Sequence, residues 1–199
     1  MTTVGLLLAA GAGRRMGGPK ALVRAAPGEP TLLETTLDRL LHAGLERVVV
    51  VLGAGAEEAG PLAEQAGGEL VLAPDWREGM GASLRTGLGH LSQTSPGEVE
   101  AALVTLVDLP DVGTRVYRRV LSAGRGRGPS MLLRAEFAGV PGHPVLLGRE
   151  HWEELRHSVR GDRGARDHLG THPPTVVECG DLATGKDADT PQDLDGAPG

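Results

Sequence analysis

The chain is poor in the residues on which several functional classes depend. It has one cysteine, Cys179, which excludes an internal disulfide and a thiolate metal cluster and suits a reducing compartment. Aromatic residues make up 2% of the sequence, too few for the stacking platforms that bind single-stranded nucleic acid. Positive charge is also short. Twenty Lys and Arg against 26 Asp and Glu leave a net charge of −6, the wrong sign for a protein that neutralises a phosphate backbone. No apolar run approaches the roughly 20 residues of a membrane helix, and no basic segment precedes the opening Val4–Ala10 run. These absences predict a cytoplasmic protein that binds neither nucleic acid nor membrane. Its 199 residues suit one domain over 1–194, with a tail, 195–199, too polar to pack.

What is present is an alternation of short β-branched runs with longer segments of helical spacing, the pattern of a layered α/β domain. Strands are expected at Val4–Ala10, Arg47–Leu52, Glu69–Ala73, Ala101–Val107 and Thr175–Glu178. Helices are expected at Thr31–Ala43, Ala56–Ala66, Ala82–Leu91, Thr114–Ala123, Glu150–Ser158 and Ala165–Leu169. Thr31 and Glu34 form a capping box at the first helix and Gly44 ends it. Ser130–Ala135 and Val145–Leu147 flank a Gly139–Pro144 turn and predict a hairpin appended to a mostly parallel sheet. Ala25–Pro30 and Thr94–Glu98 read as loops within the domain rather than linkers.

The segment richest in chemistry is Leu8–Leu22, LAAGAGRRMGGPKAL, a glycine-rich loop leaving a strand. Gly11, Gly13, Gly17 and Gly18 let backbone N–H groups approach an anion, while Arg14, Arg15 and Lys20 supply positive charge. Phosphate is the guest this combination suits. The spacing of Gly11, Gly13 and Gly17 is one residue too long for a dinucleotide fingerprint, and Pro19 stands where a Walker A loop needs lysine.

LAAGAGRRMGGPK resembles the opening signature of the MobA-like nucleotidyltransferases, the molybdenum cofactor cytidylyltransferase branch in particular. The resemblance implies a Rossmann-like nucleotidyltransferase fold and Mg²⁺-dependent attack of an acceptor phosphate on the α-phosphorus of an NTP. It places Leu8, Ala9, Ala10, Gly11, Gly13 and Arg14 against the nucleotide, and Arg15 and Lys20 on the triphosphate. The family's loop often carries serine where this chain has Gly13.

Two acidic segments follow. In ALVTLVDLPD an apolar strand ends at Asp108, where open α/β sheets place ligands, so this carboxylate is a candidate Mg²⁺ ligand; Asp111 reads instead as a cap for the next helix. In KDADTPQDL, Asp187 and Asp189 point the same way if the segment is extended, and Thr190–Pro191 opens a short helix. Taken alone, D-x-D-T-P is also an ordinary cap before proline. Its resemblance to the family's C-terminal motif implies Asp189 as a second metal ligand and Asp187 as a third.

Within Asp75–Leu88, the resemblance assigns Gly79, Gly81 and Ser83 to the nucleoside base; Trp76 suits either the base or the core edge. Gly142–Pro144 (GHP) and Gly161–Arg166 (GDRGAR) resemble acceptor-side segments, with His143, Arg163 and Arg166 facing an anionic pterin phosphate. His168 and His172 are four apart, but Gly170 and Pro173 are expected to break the helix that metal coordination would need. The reaction implied is transfer of CMP from CTP to molybdopterin, with a molybdoenzyme as recipient of the cofactor. Guanylyl transfer, a sugar- or alcohol-phosphate acceptor, or a non-catalytic cofactor chaperone are the alternatives.

Overall fold

The computed structural model describes residues 2–94, 97–159, 161 and 165–194. Its frame is a seven-stranded sheet: β1 (Thr3–Ala9), β2 (Val48–Leu52), β3 (Glu69–Leu72), β4 (Ala101–Leu106), β5 (Leu132–Phe137), β6 (Val140–Gly148) and β7 (Thr175–Glu178), in the order β3-β2-β1-β4-β6-β5-β7. All pairings are parallel except the two made by β6. The helices are α1 (Leu32–His42), α2 (Ala56–Gln65), α3 (Met80–Thr94), α4 (Thr114–Gly124), α5 (Trp152–Ser158) and α6 (Arg166–Thr171).

The β-branched runs become central strands because both their faces are covered. Val48–Leu52 is buried at every position, as expected of a parallel strand between helical layers. Alternate residues feed separate cores. Leu7, Val50 and Leu103 pack with Leu33, Leu37 and Val120 of α1 and α4, whereas Leu6, Val49 and Ala102 pack with Leu88 and Leu91 of α3 and Leu155 of α5. Gly87 lets α3 lie close to the sheet, since a Cβ there would come within 2.6 Å of Leu6 Cδ1.

The topology places the ends of β1, β2 and β4 at one edge: Ala9 pairs with Leu52 and Leu8 with Leu106. The chain turns to α1 and β2 on one side of β1 and meets β4 on the other, so the loops after β1 and β4 diverge and leave a crevice. The C-terminal segment joins this edge through Ala188 N–H, which donates to the Asp108 carbonyl at 2.8 Å.

Several sequence expectations need correction. The hairpin turns at Ala138–Gly139, so Gly142, His143 and Pro144 lie within β6. The hairpin is integral to the sheet, because β6 pairs with β4 along Ala101–Val104. Asp111 does not cap α4, whose N-cap is Gly113; its Oδ2 accepts from Thr184 N–H and Oγ1, both at 2.6 Å. Helix α6 passes through Gly170 to Thr171 with His172 as its cap, so Gly170 does not break it. Helix α3 begins at Met80, upstream of the expected Ala82. Arg163 and the tail 195–199 lie outside the described residues.

The capping box is present in full. Thr31 Oγ1 accepts from Glu34 N–H at 3.2 Å, and Glu34 Oε2 accepts from Thr31 N–H at 2.7 Å. Thr31→Ala is expected to cost about 1 kcal/mol. Denaturant titration should show a lower midpoint with an unchanged slope, the signature of lost stability without altered compactness.

Candidate active site

Three segments remote in sequence meet at one ammonium group. Lys20, in the 3-10 turn Lys20–Leu22 after the glycine-rich loop, donates to Asp108 Oδ2 at 2.5 Å and to Asp189 Oδ1 at 3.0 Å. Arg15 donates to the other oxygen of Asp189 at 2.8 Å. Burial alone would lower the Lys20 pKa, but the hydrogen bonds and charges of Asp108 and Asp189 overcome it and hold the group above its ordinary value. The hydrogen bond from Lys20 holds Asp189 below the usual carboxylate range against partial burial, and Arg15 adds to the effect. Asp108 Oδ1 is buried and has no hydrogen-bond partner among the described residues.

The loop that delivers these cations is folded on itself. Met16 N–H and Gly18 N–H both donate to the Gly13 carbonyl, and Lys20 N–H donates to that of Gly11. Gly13 has φ +54°, and a Cβ there would lie 2.1 Å from the Gly18 carbonyl oxygen. In this loop conformation only glycine fits at that position. By contrast, a Cβ at Gly11 would meet nothing within 4 Å, so the backbone there is open to approach.

A cavity of about 290 Å³ opens beside this cluster, lined in part by Ala10, Gly11, Lys20, Trp76, Ser83 and Asp108. Gly79, with φ +112°, turns the chain from Trp76 into α3 and also lines it, as does Leu8. Ala9 is buried in β1, Gly81 is buried in the first turn of α3, and Arg14 is exposed. Trp76 rests on Gly53, where a Cβ would lie 2.4 Å from its ring. Its indole can therefore line the cavity only because no side chain stands below it.

A second cavity, about 480 Å³, shares Leu8 and Met80 with the first and is walled by Arg134, His143 and Arg166. Burial and the nearby Arg134 charge push the His143 imidazole down to about 4, with Asp187 pulling the other way. Asp187 and Asp189 flank the buried Ala188; Asp189 reaches Lys20, while the charge of Asp187 is felt at His143. Arg134 was not singled out in the sequence. Its signal was available as a lone cation interrupting the apolar run of β5, and its buried Nε has no hydrogen-bond partner among the described residues.

A crevice at the strand ends of a mostly parallel sheet, with phosphate-seeking backbone facing carboxylates, is the architecture of the Rossmann-like nucleotidyltransferases, and the protein is an enzyme of that class. The model of the MobA-like NTP transferase domain matches residues 5–176, and the chain belongs to that family. Over 200 residues it is 33% identical to the nicotine blue oxidoreductase of Paenarthrobacter nicotinovorans, covering 96% of this chain and 93% of that protein. Among solved structures it is similar to Rv0371c of Mycobacterium tuberculosis H37Rv, at 29% identity and a TM-score of 0.76, covering 98% of this chain and 96% of that one. A manganese complex of Rv0371c matches at 27% identity and a TM-score of 0.73, over 98% and 100% of the two chains. A nucleotidyl transferase from Methanothermobacter thermautotrophicus shares the fold at 21% identity and a TM-score of 0.77, over 96% and 94%. The family and fold inferred from LAAGAGRRMGGPK are thus borne out. Among the described residues, no helix is long and apolar enough to cross a membrane.

Two measurements test this geometry. Trp152 is buried and its Nε1–H donates to the Leu147 carbonyl, whereas Trp76 lines the smaller cavity. Nucleotide binding should therefore change the fluorescence of Trp152→Phe and leave that of Trp76→Phe nearly constant. For His143 the folded pKa lies below the unfolded value of about 6.5. Its stabilising contribution is complete above that value and is lost as pH falls towards about 4. His143→Gln should lose less stability than the wild type between those limits in denaturant titrations at stepped pH.

Proposed function

We propose that the enzyme transfers CMP from CTP to the phosphate of a molybdopterin-type cofactor and releases pyrophosphate. The observation that carries this reading is the meeting of Lys20, Asp108 and Asp189 beside a cavity that adjoins a second one bearing Arg134, His143 and Arg166. The first would take the nucleotide, with Ser83 and Gly79 near the base and the Leu8–Gly13 backbone near the phosphates. The second would take the acceptor, where apolar walls suit a pterin and Arg134 and Arg166 suit its phosphate. The choice of molybdopterin and of CTP rests on LAAG together with the GHP and GDRGAR segments, which resemble the cytidylyl branch more than the guanylyl one.

The residues fit a divalent metal. Asp108 Oδ1 is a buried acceptor lacking a donor among the described residues, and the all-oxygen donor set of Asp108 and Asp189, with Asp187 beside it, suits Mg²⁺. Rv0371c in complex with manganese supports a divalent ion at this fold. Bound there, the ion would neutralise charge on the phosphoryl oxygens.

In this reading Lys20 and Arg15 exchange their carboxylate partners for the triphosphate. The acceptor phosphate oxygen attacks the α-phosphorus in line; the new P–O bond forms as the bond to the β-phosphate bridging oxygen breaks. Lys20 and Arg15 stabilise the charge that gathers on pyrophosphate as it leaves. Asp108→Asn or Lys20→Ala is expected to lower turnover by at least about 100-fold, as expected for one strong electrostatic stabiliser.

Kinship with nicotine blue oxidoreductase favours a second reading, in which the same cavities serve an oxidoreduction. The glycine spacing of the loop does not support a dinucleotide fingerprint. One panel separates these readings: pyrophosphate release with CTP, GTP and other NTPs against molybdopterin and sugar phosphates, alongside oxidation of NADH and NADPH. Pyrophosphate from CTP only when molybdopterin is present supports the proposal. Turnover with GTP or sugar phosphates alone, nicotinamide oxidation without pyrophosphate, or binding without turnover overturns it.

A further inference from the structure

Away from the nucleotide crevice, three imidazoles and a carboxylate meet where α5 packs against α6. His168 lies on α6, His172 is its C-terminal cap, Glu154 lies on α5, and His151 ends the turn before α5. The rings of His168 and His172 stack with centroids 4.3 Å apart, and His151 stands edge-on to both at 5.2 and 5.7 Å. One nitrogen from each of His168 and His172 and one Glu154 oxygen lie within 4.8 Å of one another.

The hydrogen bonds around this cluster fix where its protons sit. The Ser130 carbonyl can only accept, so His151 Nε2, 3.0 Å away, carries the hydrogen. Neutral His151 then offers Nδ1 as an acceptor, and His168 Nε2, at 3.1 Å, donates to it. This leaves His168 Nδ1 as a bare lone pair. The side chain is 1% exposed, and that nitrogen lies 3.2 Å from Glu154 Oε1.

His172 is set in the same way. Thr171 Oγ1 donates its one hydrogen to the His168 carbonyl at 3.0 Å and accepts from His172 Nδ1 at 3.2 Å. The lone pair of His172 Nε2 is then free, 3.9 Å from Glu154 Oε2. One nitrogen of each ring and a Glu154 oxygen thus stand together at one corner.

We propose that Glu154, His168 and His172 form a second metal site, specific for a divalent transition ion of the zinc type, that fastens α6 to α5. Two imidazoles and a carboxylate are the donors zinc takes, whereas magnesium and calcium prefer oxygen alone. Tetrahedral bonds of about 2.0–2.1 Å separate ligand atoms by roughly 3.3 Å; His168 Nδ1 and Glu154 Oε1 are 3.2 Å apart, and the three ligand atoms lie within 4.8 Å of one another. Glu154 and His172 are 56% and 43% exposed, so a fourth position is open to water. His151 and Thr171 act as positioning residues that hold each ligating ring in its metal-ready tautomer. Helix α6 also carries Arg166 and Leu169, which wall the larger cavity beside the nucleotide crevice. Metal bound behind the helix would stiffen that wall whatever the cavity holds.

The test is zinc alone, titrated calorimetrically into the untagged full chain in an Asp108→Asn, Asp189→Asn background that removes the carboxylates of the other candidate metal site. One equivalent should bind and resist millimolar magnesium. His172→Ala and Glu154→Gln, chosen because both side chains are exposed, should each weaken binding at least about 10-fold, and Thr171→Val by about 10- to 100-fold. Cobalt in place of zinc should give visible absorption bands that His172→Ala abolishes. Absence of zinc binding in the background protein, or unchanged affinity in both His172→Ala and Glu154→Gln, would overturn the proposal.

Discussion

The ion cluster centred on Lys20 ties together parts of the chain that share no local structure. Lys20 belongs to the loop after β1, Asp108 to the end of β4, and Asp189 to the segment after β7, separated from Lys20 by 88 and 169 residues. Two cations, Lys20 and Arg15, face two carboxylates, so the group is neutral as a set. Lys20 and Asp108 are nevertheless largely desolvated, and removing either would leave the other's charge uncompensated. The site is therefore assembled in the resting enzyme. In the proposed reaction, an incoming anion and metal need only exchange partners with groups already in place, which reduces the reorganisation that accompanies charge development.

That arrangement depends on the sheet. Because β1 is the strand at which the connections reverse, its loop and that of β4 open on opposite sides of a gap, and backbone N–H groups and a carboxylate can face one guest. The antiparallel β6 extends the same surface. It pairs with β4 and carries His143 into the larger cavity, while Leu8 and Met80 form the boundary between the two. A hairpin built into the sheet places its side chains more rigidly than one hung from the edge. In the proposed reaction this rigidity would suit a wall that holds the acceptor in line with a phosphorus atom.

The parts legible in the sequence were those dictated by neighbours along the chain. The Thr31–Glu34 box, the unbroken valine run of β2 and the glycines that shape the loop each follow from local sterics or local hydrogen bonding. Asp108 was readable because the acidic residue terminates an apolar strand, and strand ends have a general meaning in this architecture. Asp111 misled for the same reason: an acid before a helix usually caps it, but Thr184, 73 residues away, supplied competing donors. The hairpin turn moved because Gly139, at φ +83°, satisfies a tight reversal that the later Gly142 does not make. Gly142 is instead required by Phe137, whose ring a Cβ would meet at 2.7 Å.

What could not be read was chemistry created by packing between distant elements. Arg134 looks like a strand residue until β6 and α6 enclose it, and His168 and His172 look like surface residues until Glu154 arrives from α5 and His151 from the turn before it. Spacing along a helix tests only whether two rings can share a face. Whether they can bind an ion depends on which nitrogen of each ring keeps its proton, and here that is decided by Ser130 and Thr171, whose oxygens accept from a histidine ring. A carbonyl on a loop thereby sets the tautomer of a buried imidazole two hydrogen bonds away. A sequence motif records the ligands of such a site, while the competence of those ligands resides in acceptors that any residue's backbone could provide.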